Sequence, residues 1–442
     1  MDWKNFLRQL VALRTVCADP AMAGEFARAE ALLSSTLASL GFATRTFSAA
    51  GRPPIVLGSR GPGDAPLALL LYGHYDVQPA GPGECWSSDP FTLVERDGSC
   101  FGRGVADDKG PICAMLAALD EAGDLSRLRI RVVFEGGEEV GSPGLESFLR
   151  ENRSLLRSDA VLVLDTGCPG ELRPALTTAL RGVIPFEIHL RTGERDLHSG
   201  YGGCVANAIQ ELVRLCATLH GEDGSVPVPG FYDGIRPASG EEMAAVEGED
   251  FPGELGVGAL QSLFPALPRR AVHTLLPSLE FNGIAGGYAG PGSKTVIPAE
   301  AVAKCTVRTV AGQDPRAICR SVERFLLGQG QVLGRVSVHF SDPAPAYGLD
   351  LAATDPKFSH LFRVLERSVE KAFGQKPLHR REGGSIGVVG LFREVLGVDS
   401  LLLGTVPPGA RIHAPDENWS WESFSRTRQA LVQFLRSADS LS

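Results

Sequence analysis

The chain predicts an α/β protein: a mostly parallel sheet with helices on both faces, interrupted by an inserted α+β domain. Three observations carry this expectation. Helix-period and strand-type segments alternate up to about residue 181. Within that region Leu67–Tyr72 and Ala160–Leu164 are unbroken apolar runs, the mark of strands covered on both faces. From residue 182 the pattern changes to half-apolar strands, and helix–strand alternation resumes near 349. The expected division is therefore 1–181 and 349–442 for one domain and 182–348 for the insertion.

Residues 21–40 read as a helix, with apolar positions Phe26, Ala29, Leu32, Leu33, Leu37 and Leu40. Strand 67–72 follows, then a helix from Gly110 to Ala122. Pro111 falls in its first turn, where no amide hydrogen is needed. Leu128–Phe134 is the next strand, Leu145–Glu151 a helix and Ala160–Leu164 a strand. In the insertion, Val183–Arg191 and Ala301–Thr309 alternate apolar and polar residues, as half-exposed antiparallel strands do. Residues 221–270 are rich in Gly, Pro and acids with weak periodicity; Pro315–Leu327 is an amphipathic helix and Gln331–Phe340 a strand. A helix at 357–373, another starting at Gly384-Ser385, and a strand at Ser400–Leu403 complete the chain.

Composition excludes several classes. With 442 residues, 43% hydrophobic, 21% charged and a net charge of −9, the chain is globular, without the basic footprint that nucleic acid or anionic membranes require. Its longest apolar runs are too short to span a bilayer, and the first ten residues alternate charge and apolar character at helical spacing, unlike a leader segment. Nine scattered cysteines with no C-x-x-C pair suit reduced thiols, so the expectation is a cytoplasmic protein.

Five side chains at or just past expected strand ends carry metal-binding chemistry: His74, Asp107, Glu139, Asp165 and His413. Two imidazoles and three carboxylates suit a pair of divalent ions, and three carboxylates with a bridging hydroxide balance two dications. Each signal alone is ordinary. His74-x-Asp76 could be loop chemistry, but a ligating histidine wants a carboxylate on its other nitrogen, and Asp76 is placed for that. Asp107-Asp108 opens a glycine-flanked turn; Asp107 is the candidate bridge, whereas Asp108 could serve only the helix dipole. Glu138 and Glu139 are adjacent after strand 128–134. Neighbours on an extended backbone point to opposite sides, which assigns Glu139 as ligand and Glu138 as general base. His198, in Asp-Leu-His-Ser-Gly, is by itself a loop histidine. Gly383-Gly384-Ser385 could form an anion-binding nest with Ser385 as helix N-cap.

Taken together, these ordered motifs resemble the M20 metallopeptidases, most closely the carnosinase-like dipeptidase branch, over nearly the full chain. The resemblance implies a zinc-type di-metal catalytic domain with an inserted lid domain that dimerises. It makes His74, Asp107 and Asp165 the ligands of one metal and Asp107, Glu139 and His413 those of the other, with Asp76 orienting His74 and Glu138 as base. It implies a cis bond between Asp107 and Asp108. It gives His198 the oxyanion of the partner subunit's site, and Thr295, Arg308 and Ser385 the substrate's terminal carboxylate. Asp165 and the Asp-Leu-His-Ser-Gly motif favour the dipeptidase branch. Gly387 and Thr166 depart from the usual proline and asparagine. The expected activity is hydrolysis of dipeptides or small peptides by activated water, with an N-acyl amino acid deacylase or carboxypeptidase as the alternative and a non-catalytic homologue as the remaining one. Mixed nitrogen and oxygen donors suit zinc, manganese and cobalt alike.

Overall fold

The computed structural model describes residues 1–17, 19–48, 51–246 and 267–441, so 247–266 of the Gly/Pro/acid-rich stretch lie outside the described residues. The chain divides into two compact units, one of Met1–Thr178, Leu349–Arg380 and Ile386–Ser442, the other of Ala179–Gly348 with Arg381–Ser385.

The first unit is built on four parallel strands in the order Leu128–Glu135, Leu67–His74, Ala160–Gly167 and Ser400–Val406. Their apolar character explains the arrangement. Every residue of Leu67–His74 and Ser400–Val406 is buried, so both faces are covered by helices, which parallel crossover connections supply. Antiparallel strands Ile55–Arg60 and Ala43–Phe47 extend one side, and Ala175–Leu180 pairs with Ser400–Val406 on the other. Helix Lys109–Ala122 is buried along almost its whole length and packs against the carboxy-terminal helix Trp421–Leu441, which also covers Pro356–Phe373.

The second unit holds an antiparallel sheet ordered Ser278–Gly286, Glu300–Thr309, Gly182–Arg191 and Arg335–Phe340. Alternate residues Ile184, Phe186, Ile188 and Leu190 are buried in a common core with Leu212 and Leu215 of helix Ala208–Ala217 and Ile318 and Val322 of Pro315–Leu327. Arg381 anchors its short segment here. Its buried guanidinium lies 2.9 Å from Glu242 and donates to the Arg236 and Pro237 carbonyls at 3.0 and 2.7 Å.

Three expectations are corrected. The last strand of the insertion begins at Arg335, because Gln331–Gly334 form a turn. The helix expected at 384–385 begins at Gly387 with Ile386 as an uncapped N-cap, so Ser385 is not a helix cap. Glu138–Val140 form a short 3₁₀ turn, so the opposite-sides argument for two extended neighbours does not apply. Among the described residues no helix is long and apolar enough to cross a membrane.

Gly404 lies where Ser400–Val406 shifts register against Ala160–Gly167, and a Cβ there would sit 2.0 Å from the Gly167 carbonyl oxygen. Backbone cannot yield as a side chain can. Gly404→Ala is therefore expected to lose about 1–3 kcal/mol or more of stability, read from urea unfolding.

Candidate metal centre

The parallel strands deliver the donors. His74 is the last residue of its strand, and Asp165 lies near the end of the adjacent one. Glu139 follows Leu128–Glu135 in the 3₁₀ turn, and His413 follows Ser400–Val406 in a loop. Asp107 comes from the turn between strand Ser99–Phe101 and helix Lys109–Ala122, and its bond to Asp108 is cis. His74, Asp107 and Asp165 each offer a donor atom, all within 4.8 Å of one another, and so do Asp107, Glu139 and His413. Asp107 joins the two groups: its Oδ1 is 2.9 Å from His74 Nε2 and its Oδ2 is 2.9 Å from His413 Nε2. Glu139 Oε1 lies 3.3 Å from His413 Nε2, and Asp165 Oδ2 lies 3.9 Å from His74 Nε2.

The donor set fits divalent cations. His74 Nε2 and Glu139 Oε1 are buried and make no well-directed hydrogen bond, although Asp107 Oδ1 and His413 Nε2 lie 2.9 and 3.3 Å from them, and an interior tolerates such atoms only when something else satisfies them. Neighbouring carboxylates are spent on the backbone instead. Asp76 Oδ1 accepts from the Glu138 amide at 3.2 Å and Oδ2 from the Glu139 amide at 3.1 Å, while Asp76 Oδ1 stands 3.4 Å from His74 Nδ1. Asp108 Oδ2 accepts from the His74 amide at 3.1 Å, so it ties two donor loops together and does not cap its helix.

Crowded acids in a buried place resist ionisation. Burial, then the charges of Asp107, Asp76 and Glu139 against the opposing His74, pushes Glu138 up to about 7. Burial, with Asp107 beside it, raises Asp165 well above the usual carboxylate range. Asp107 goes the other way: burial would raise it, but His413 and His74 outweigh burial and hold it well below. Contacts with Asp107 and Glu139 lift His413 to about 10. For His74 burial disfavours the cation, yet the adjacent Asp107 and Asp76 keep its pKa well above the ordinary imidazole value. These protons compete with cations for the same lone pairs.

The second unit gathers the other expected residues. Arg308, half-buried, donates through Nη1 to Ser385 Oγ at 2.8 Å, and Ser385 Oγ donates to the Arg181 carbonyl. Among the described residues no carboxylate pairs with Arg308. Gly383 beside Ser385 is glycine for a steric reason, since a Cβ there would lie 2.0 Å from the His273 ring. His198 pairs with Val296 in a two-residue ladder, and its Nε2 is 3.5 Å from Thr295 Oγ1. His198 Nδ1 accepts from the Gly200 amide at 3.0 Å, so the neutral ring carries its proton on Nε2. Sequence reasoning missed Glu417, whose carboxylate accepts from the Ala106 and Asp107 amides at 2.9 and 3.1 Å. The signal was present: His413 and Glu417 lie in one short motif, His-Ala-Pro-Asp-Glu.

Comparison with known proteins points to one family. The model of peptidase family M20/M25/M40 matches residues 70–437. The chain is 33% identical over 404 residues to a Cys-Gly metallodipeptidase of Schizosaccharomyces pombe, covering 88% of this chain and 84% of that one. It is 30% identical over 403 residues to the Beta-Ala-His dipeptidase of Homo sapiens, covering 87% and 78%. Among solved structures it is similar to an M20 family metallo-carboxypeptidase of Sulfolobus solfataricus, with TM-score 0.83, 25% identity and 99% of each chain covered. Human carnosine dipeptidase 1 matches with TM-score 0.79 and 25% identity over 99% of this chain and 96% of that one.

The two groups share only Asp107. Metal analysis of the purified chain should therefore find two divalent ions. Asp107→Ala should lose both, and Asp165→Ala should keep the one held by Asp107, Glu139 and His413. Since uptake displaces protons, affinity should fall as pH is lowered, with proton release measurable by calorimetry in buffers of different ionisation enthalpy.

Proposed function

The chain belongs to peptidase family M20/M25/M40, and from that premise we propose that it is a dipeptidase, hydrolysing the amide of dipeptides or other small peptides at the Asp107-centred site. The observation that carries this reading is the sharing of Asp107 by two donor groups with Glu138 next to one of them. His74, Asp107 and Asp165 would hold one divalent ion and Asp107, Glu139 and His413 the other; zinc, manganese and cobalt all suit these donors. Ions so bound supply Lewis acidity and make water acidic enough to deprotonate near neutral pH.

The chain's own residues do the rest. Glu138 takes the proton from the attacking water and returns it to the leaving amine nitrogen as the C–N bond breaks. A carboxyl with a pKa near 7 is suited to both transfers. Asp76 holds the His74 ring and, through the amides it accepts, the turn that carries Glu138 and Glu139. Arg308, a half-buried guanidinium with no carboxylate partner among the described residues, binds the substrate's terminal carboxylate with Ser385 and Thr295. His198, exposed and protonated on Nε2, donates to the oxyanion of a partner copy, which makes the working form a homodimer through the second unit, acting as a lid. The nine cysteines form no disulfide among the described residues, which suits a cytoplasmic location.

Likeness to a metallo-carboxypeptidase favours a second reading, cleavage of N-acyl amino acids or longer peptides at the carboxyl end. A panel of free dipeptides against N-acetylated amino acids, run with zinc, manganese and cobalt, separates the two. Faster turnover of the acylated set would replace the dipeptidase assignment.

Glu138→Gln should lower kcat about 10²- to 10⁴-fold with both ions retained. Arg308→Met should raise KM for dipeptides about tenfold or more while kcat changes less, as expected for loss of a charged hydrogen bond in the ground state.

A further inference from the structure

The loop that presents Asp107 is gripped by a carboxylate outside both donor groups. Glu417 is 1% exposed, four residues beyond His413. Its Oε1 accepts from the amides of Gly104, Ala106 and Asp107 at 3.1, 2.9 and 3.1 Å. Its Oε2 lies 2.7 Å from Arg103 Nη1 and 3.1 Å from the Gly104 amide. Its own carbonyl accepts from the Gly102 amide at 3.0 Å, and strand Asn418–Ser420 then runs antiparallel to Ser99–Phe101. Arg103 is fixed in turn, by the Pro79 carbonyl at 3.3 Å and by the Trp86 ring, 5.2 Å away.

The other side of Glu417 is the His413 loop. Arg411, His413 and Asp416 all have φ near +60°, a conformation that side chains with a Cβ adopt only when the surroundings impose it. Asp416 is imposed upon by Ser87, whose amide and hydroxyl donate to it at 2.8 and 2.7 Å. Asn418 Nδ2 donates to the Gly409 and Asp416 carbonyls at 3.1 Å. Glu417 therefore stands at the junction of the two loops whose side chains meet at Asp107 Oδ2 and His413 Nε2.

We propose that Glu417 is a positioning residue, which locks the Asp107 loop to the His413 loop so that Asp107 presents one oxygen to each donor group. The inference rests on the di-metal reading above. Only an ionised carboxylate suits the post: three amides and a guanidinium all donate, and a glutamine would turn an NH₂ toward one of them. The Asp107 amide is itself one of the donors, so slack at Glu417 passes directly to the bridging residue. An aspartate keeps the charge but falls one methylene short of either the amides or Arg103.

The test uses the full chain as wild type, Glu417→Gln and Glu417→Asp. Each is stripped of metal and titrated with zinc ions against a chelator. Melting temperature, hydrogen exchange of the 102–108 amides, kcat and KM are then measured. Glu417→Gln should bind at least one zinc about 10- to 100-fold more weakly. It should exchange the 104, 106 and 107 amides faster and lose kcat more than KM. Glu417→Asp should fall between it and wild type. A Gln variant that melts earlier but keeps wild-type zinc affinity and kcat would make Glu417 merely structural and overturn the proposal. Should the Gln variant fail to fold, wild-type affinity and exchange in the Asp variant overturn it instead. Wild-type protein that takes up no zinc would sink the di-metal reading itself, a result separate from any difference between variants.

Discussion

Like charges confined to a buried place govern this structure. Asp165 and Glu139 each share a donor group with Asp107, with Glu138, Asp76 and Asp108 close behind. In a low-dielectric interior such a set repels itself unless each carboxylate is met by a positive partner, an N–H group or a proton. The fold sorts them by that rule. Asp76, Asp108 and Glu417 are spent on backbone amides, and so they turn loops into fixed walls. Among the described residues, His74 Nε2 and Glu139 Oε1 are left in the donor groups without a well-directed hydrogen bond. A candidate site for cations is what this sorting leaves, with Glu138 beside it raised by burial and by the same repulsion.

Topology explains why such distant residues can meet. Parallel strands all end on the same edge, so loops after Leu67–His74, Leu128–Glu135, Ala160–Gly167 and Ser400–Val406 gather there without long excursions. Asp107 reaches the same edge through a turn that follows strand Ser99–Phe101, itself paired to residues 418–420. The second unit has its own logic. An antiparallel sheet with one apolar face packs its helices, and Arg381 draws the Gly383–Ser385 segment into it beside Arg308.

Much was legible along the chain. Continuous apolar runs marked the central strands because burial on both faces leaves no polar position, and alternation marked Gly182–Arg191 because only one face is covered. His74, Asp107, Glu139, Asp165 and His413 stood out because their residue types recur at strand ends. The edge strand Ala43–Phe47 was invisible for the opposite reason: it is mostly exposed and carries no period. Extended geometry at Glu138-Glu139 was assumed where a 3₁₀ turn forms, because nothing local distinguishes the two; Asp76, accepting both amides, decides it. Ser385 read as a helix cap, since Gly-Gly-Ser before an apolar run commonly is one. Its hydroxyl instead serves Arg181 and Arg308, partners remote in sequence.

The amino-acid order by itself determined the class of fold, the family and the inventory of donors, because these follow from local periodicity and from residue types at motif spacing. Only the tertiary structure decided which carboxylates are free to meet a cation and which are consumed by amides. That choice depends on hydrogen bonds between Asp76 and the 138–139 turn, Asp108 and His74, and Glu417 and the Asp107 loop. The residues in the last of these are 310 positions apart. No local pattern encodes such a pairing; it exists once the strands have brought the loops to one edge.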